Sequence, residues 1–146
     1  LRAKGWATVP LPMKTILPSP TAAKSPDTSE ALGEHWLLEF YDCPVAVLND
    51  PDRLKDVLSE ACQAAGLHLL QSLCHAFTPQ GVTVVGLLSE SHLSIHTWPE
   101  KGYAALDIFT CDPTSRLDKA LETLLAGLAP QRHVRRVVKR GEGHAR

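Results

Sequence analysis

Between Leu67 and Cys111 the chain passes through four strand-like runs, 67–77, 82–89, 92–98 and 103–111, with at most four residues between one run and the next. Connections that short cannot carry a crossover helix, so consecutive strands must pair antiparallel in one sheet. Thr78-Pro79-Gln80-Gly81 and Glu100-Lys101-Gly102 supply two of the turns. Ahead of these runs, His35 to Tyr41 reads as another strand, ended by Pro44. Asn49-Asp50-Pro51 then offers a helix cap with proline at the first helical position. Leu54, Val57, Leu58, Ala61, Cys62 and Ala65 recur on one helical face, and Gly66 ends it. After the runs, Ser115-x-x-Asp118 opens a second helix whose face is Leu117, Ala120, Leu121, Leu124, Leu125 and Leu128. Gly127 and Pro130 close it, and His133 to Lys139 is a final strand.

Two one-faced helices can cover only one side of such a sheet. The expected fold is therefore α+β, a two-layer sandwich of a mainly antiparallel sheet with helices on one face. The uncovered side suggests a homodimer packing through it.

Composition narrows the function. A chain of 146 residues is long enough for one domain with a real core. Its net charge of -1 gives no support for nucleic-acid binding, which normally needs a basic face, and no apolar run in the first thirty or so residues is long enough for a membrane span or a signal segment. Cys43, Cys62, Cys74 and Cys111 show neither a C-x-x-C pair nor zinc-finger spacing, so free thiols in a reducing cytoplasm are expected. Residues 1–31 differ from the rest: Pro10, Pro12, Pro18, Pro20 and Pro26 alternate with Ser, Thr, Ala and Lys, the composition of a disordered tail. Met13 is the sole methionine, so translation is a candidate to begin there. The folded domain is expected over 32–146.

Chemistry concentrates around residue 91. Ser91 follows the carboxylate of Glu90, with His92 and His96 close behind and Cys111 one strand later. A hydroxyl, an imidazole and a thiol suffice for metal-free nucleophilic and acid–base chemistry. Ser91 beside Glu90 suggests a serine that acts on its own backbone. A metal is a poor reading, because two histidines four apart on a strand stand roughly 13 Å apart at ~3.3 Å per residue. Ser91 and His96, five apart, fall on opposite faces of a regular strand and cooperate only if the chain bends or turns near Ser91. Taken alone, this window reads as an ordinary hairpin tip before it reads as a catalytic site, Cys111 as a packed or idle thiol, and Thr83 as a residue common at such positions for its β propensity. Asp107, in phase with Cys111, is either a buried polar partner or solvent-facing.

The whole set resembles the bacterial and archaeal S-adenosylmethionine decarboxylase proenzymes. The likeness runs through Leu32-Gly33-Glu34-His35, Glu39-Phe40-Tyr41-Asp42-Cys43 and Phe77-x-Pro79-x-Gly81-Val82. It peaks at Ser89-Glu90-Ser91-His92-Leu93-Ser94-Ile95-His96-Thr97-Trp98-Pro99-Glu100 and continues through Gly102-Tyr103-Ala104-Ala105-x-Asp107-x-Phe109-Thr110-Cys111. The tail lies outside it.

The resemblance implies a self-processing, pyruvoyl-dependent enzyme cut between Glu90 and Ser91. Ser91 Oγ attacks the Glu90 carbonyl, converting amide to ester. His96 then removes the α-proton of residue 91, and elimination followed by hydrolysis leaves a pyruvoyl group and ammonia. The resulting chains, 1–90 and 91–146, stay together noncovalently. The pyruvoyl ketone forms a Schiff base with the substrate amine and withdraws electrons as carbon dioxide leaves. By the same resemblance Cys111 is the proton donor in decarboxylation, and Thr83 stands where the family usually has a serine that assists processing. Phe77 aligns with an aromatic stacked on adenine, Glu100 with the carboxylate holding the ribose hydroxyls. Core packing and a turn position remain plain alternatives for these two. S-adenosylmethionine is the implied substrate, and the family's sites lie at a dimer interface. A pyruvoyl decarboxylase of arginine or ornithine, or a non-processing regulatory subunit, are the competing readings. Intact Ser91, His96 and Cys111 argue against the last.

Overall fold

The computed structural model describes residues 31–143. The expected tail and Met13 lie outside the described residues. Six strands form one antiparallel sheet: β1 (Gly33–Tyr41), β2 (Leu69–Ala76), β3 (Val82–Leu88), β4 (Ser91–Trp98), β5 (Tyr103–Thr110) and β6 (Arg132–Arg140), in the order β2-β3-β4-β5-β1-β6. Three helices accompany it: α1 (Val45–Leu48), α2 (Pro51–Ala65) and α3 (Leu117–Leu128). The expected α+β sandwich is the observed one.

The helix-facing side of the sheet carries Trp36, Leu38, Phe40, Val82, Val84, Leu88, Leu93, Ile95, Leu106 and Ile108, all buried. The α2 residues named by periodicity, Leu54, Val57, Leu58, Ala61, Cys62 and Ala65, are the ones that close on them. Asp50 caps α2, its Oδ1 accepting from the N–H groups of Asp52 and Arg53 at 3.1 and 3.0 Å. Gly66 ends the helix with φ +77°, a left-handed position that favours a residue without Cβ.

Three details depart from the sequence reading. The turn of helix α1 after Pro44 carries no periodic pattern and was not expected; it drops Leu48 into the core. Ser115 does not cap α3. Arg116 holds the N-cap position without a side-chain bond, while the Ser115 hydroxyl donates to the carbonyl of Asp112 at 2.8 Å. Gly127 does not end α3 either, since Ala129 takes the left-handed position. Gly127 is instead where α3 crosses α2: a Cβ there would lie 2.5 Å from Cγ2 of Val57.

Among the described residues no element covers the second sheet face. Register places Leu73, Val85, Leu87 and Trp98 on it, each well exposed, together with His35, Thr83, His92, His96 and Asp107. Among the described residues no helix is long and apolar enough to cross a membrane.

Candidate active site

The β3–β4 connection is a two-residue hairpin formed by Ser89 and Glu90, so Ser91 is the first residue of β4. Two-residue hairpins need positive φ at their central residues. Here the positive φ falls on Ser91 instead, at +148°. That region is almost reserved for glycine, and holding a serine there costs about 1–3 kcal/mol. The strain therefore lies at Ser91, about the N–Cα bond that follows the Glu90–Ser91 peptide.

The hairpin is braced from two sides. The Glu90 carbonyl oxygen accepts from the backbone N–H of Cys111 at 3.1 Å and from its thiol, Sγ standing 3.2 Å away. Two donors converging on one carbonyl polarise it and would hold an oxyanion formed there. The Glu90 carboxylate turns the other way. Oε2 accepts from the His68 backbone N–H at 3.0 Å, and Oε1 lies 2.5 Å from His68 Nδ1. Burial works to raise the pKa of Glu90, but the bonds from His68 outweigh it and keep the carboxyl below its ordinary range. The same pairing raises that of His68. Ser91 Oγ stands 3.3 Å from Nδ1 of His92.

The other expected site residues gather at the opposite end of β3 and β4. His96 Nδ1 lies 3.0 Å from Thr83 Oγ1, its cross-strand partner. Phe77 is half-exposed, its ring edge-on to His75 at 4.6 Å. Its N–H donates to the carbonyl of Gly81 at 2.8 Å, closing the loop that leads into β3. Glu100 sits in the short helical turn Pro99–Lys101 and accepts from Gln80 Nε2 at 3.2 Å. The seven residues thus form two clusters: Glu90, Ser91 and Cys111 at one end, and Thr83, His96, Phe77 and Glu100 at the other.

No bend brings the two together. The turn comes before Ser91 rather than after it, and β4 keeps unbroken register with both neighbours from Ser91 onward. Five residues of extended strand separate Ser91 from His96 by about 16 Å at ~3.3 Å per residue. Asp107 resolves as a partner on the open face, bonded to His35 Nε2 at 3.1 Å and to the Ser94 hydroxyl at 3.2 Å.

Two residues join the site that the sequence reading leaves out of it. Only His92 carries a signal, since adjacency to Ser91 places an imidazole beside the hydroxyl. His68 gives no signal in the sequence; only the hairpin places it on Glu90.

The sequence pattern of the S-adenosylmethionine decarboxylase family matches residues 34–141. An S-adenosylmethionine decarboxylase proenzyme of Prochlorococcus marinus is 49% identical over 102 residues, covering 70% of this chain and 82% of its own length. One from Methanococcus maripaludis is 42% identical over 110 residues, covering 75% and 90%. The crystal structure of the adenosylmethionine decarboxylase of Aquifex aeolicus superposes with a TM-score of 0.73 at 34% identity, covering 81% of this chain and 99% of that one. With the match spanning both clusters and nearly the whole sheet, this chain belongs to the S-adenosylmethionine decarboxylase family.

Proposed function

We infer that the chain is a proenzyme that cuts itself between Glu90 and Ser91 and, once processed, decarboxylates S-adenosylmethionine to the aminopropyl donor used in spermidine synthesis. The observation that carries this reading is the scissile hairpin: a strained Ser91 follows a carbonyl already gripped by both donors of Cys111. Attack by Ser91 Oγ on that carbonyl moves the acyl group from nitrogen to oxygen. Breaking the amide frees Ser91 to leave its strained φ, and the Cys111 donors stabilise the tetrahedral oxyanion.

The residues present fit a pyruvoyl group made from Ser91, because the serine, its strained φ and the oxyanion donors meet beside one peptide bond. Such a group supplies an electron sink for loss of carbon dioxide. The Cys111 thiol, bonded to the Glu90 carbonyl, would then give a proton to the substrate carbon. Phe77 offers a half-exposed ring to adenine and the sulfonium, and Glu100 a carboxylate to the ribose hydroxyls.

The separation of the two clusters favours a homodimer of processed units. A two-fold axis across the open sheet face would set Ser91 and Cys111 of one copy against Thr83, His96, Phe77 and Glu100 of the other. The exposed Leu73, Val85, Leu87 and Trp98 on that face give such an interface an apolar component. His96 then removes the α-proton of residue 91 in the second copy, its imidazole steadied by the Thr83 hydroxyl.

A denaturing intact-mass spectrum tests the processing. Two chains divided between Glu90 and Ser91, the later one lighter by one ammonia than its sequence, are expected. A single full-length mass in freshly folded protein refutes it. Release of carbon dioxide from S-adenosylmethionine, set against arginine and ornithine, then fixes the substrate.

A further inference from the structure

Conversion of amide to ester at Glu90 requires Ser91 to lose its hydroxyl proton, since a protonated serine is a weak nucleophile. On the reading above, His96 acts later, on the α-proton, and comes from another copy. We propose that His92 is a catalytic residue of self-processing, the base that takes the hydroxyl proton of Ser91 and returns it to the departing amide nitrogen. This inference rests on the self-processing reading of the hairpin.

The geometry selects His92 over its neighbours. Its Nδ1 is the side-chain partner of Ser91 Oγ, at 3.3 Å. The Glu90 carboxylate, though adjacent in sequence, has both oxygens engaged by His68. The Cys111 thiol donates to the Glu90 carbonyl and is committed to the opposite task. The His92 ring is also held in place: it stands edge-on to His35 at 6.0 Å and to Phe109 at 5.9 Å. Those contacts limit its rotation and keep Nδ1 on the Ser91 side. A distance of 3.3 Å is long for O–H···N, as catalytic contacts commonly are before the reacting geometry closes.

The step balances. The Oγ–H proton passes to Nδ1 as the Oγ–C bond forms at the Glu90 carbonyl carbon, and the carbonyl oxygen becomes an anion between the two Cys111 donors. As the carbonyl re-forms, the C–N bond breaks and the same proton passes from Nδ1 to the nitrogen of Ser91. The products are an ester through Ser91 Oγ and a free amine, with His92 neutral again.

The test isolates this step from elimination. In a His96→Ala protein the ester should accumulate, and hydroxylamine cuts esters but not ordinary peptide bonds. Cleavage of that protein at Glu90–Ser91 by hydroxylamine therefore reports the first step without any decarboxylase activity. Adding His92→Asn keeps an acceptor near the place of Nδ1 but removes its basicity. Ester formation should then fall about a hundredfold, the usual contribution of a general base. His92→Gln should act alike, with folding of both checked by circular dichroism. Imidazole added to a His92→Gly/His96→Ala protein should restore ester formation in proportion to its concentration. An undiminished rate in either folded amide variant, or a glycine variant indifferent to imidazole, overturns the role of His92 and leaves self-processing standing. A wild-type chain that neither cleaves nor yields to hydroxylamine removes the reading beneath it, and this proposal too.

Discussion

If each site is completed by a second copy, a chain lacking Ser91 and a chain lacking His96 should repair each other. Within one chain the two residues stand about 16 Å apart along β4 at ~3.3 Å per residue, and proton transfer needs about 3 Å. His96→Ala protein made alone should therefore stop before elimination, and Ser91→Ala protein should stay whole. Mixed in one dimer, the Ser91→Ala copy lends its His96 to the intact Ser91 of the other. The reciprocal site holds neither group and stays dead. Random pairing of equal amounts gives each His96→Ala chain about an even chance of such a partner, so about half of those chains should mature. The assay is co-expression of the two variants with C-terminal tags of different mass, followed by an intact-mass spectrum. Cleavage confined to the His96→Ala chain, near half, is the expected result. Tagged heterodimers in which no chain matures would refute the shared site. So would His96→Ala protein maturing as fully alone as in the mixture.

Other perturbations follow from single contacts. Burial pushes the thiols of Cys43 and Cys62 up to about 11, whereas Cys74 and Cys111 are exposed. A thiol reagent at neutral pH should modify the latter two in the native protein and the former two only after unfolding, as counted by mass. Gly127→Ala places a methyl 2.5 Å from Val57 Cγ2 and 2.7 Å from Cγ1. Overpacking of about 1–3 kcal/mol should outweigh the better helix propensity of alanine and lower the thermal midpoint, with Val57→Ala in the same chain recovering part of the loss. The His68–Glu90 pair should be strongest between its two pKa values. The raised pKa of His68 gives stability that is present below its unfolded value and lost as pH rises through the folded one. The lowered pKa of Glu90 gives stability present above its unfolded value and lost as pH falls through the folded one. Thermal midpoints of uncleaved Ser91→Ala protein across pH should show both limbs, and His68→Ala should flatten the alkaline one.

Much of the architecture was legible because it follows from local rules. Runs of strand separated by a few residues can only pair antiparallel, and the apolar faces of α2 and α3 repeat at helical spacing. The identities at Glu90, Ser91, His96 and Cys111 likewise carry the resemblance at the level of sequence. The misreadings are of one kind, where a residue's neighbours in space outweigh its local preference. Gly127 looked like a helix end and is a crossing point, because only contact with Val57 gives the missing Cβ its meaning. Ser115 looked like a cap and instead serves the Asp112 turn.

The sequence by itself determined the inventory: which strands, which helix faces, and which side chains carry nucleophile, base and thiol. The tertiary structure decided who can reach whom. Antiparallel pairing brings Cys111, twenty-one residues downstream in sequence, onto the Glu90 carbonyl, and the hairpin puts His68 on its carboxylate. Straight register along β4 meanwhile holds His96 away from Ser91, although the two are near neighbours in the chain. Proximity in sequence becomes separation on an extended strand, because each residue advances the chain by ~3.3 Å. Proximity in space comes from hydrogen-bonded register, which no single segment encodes.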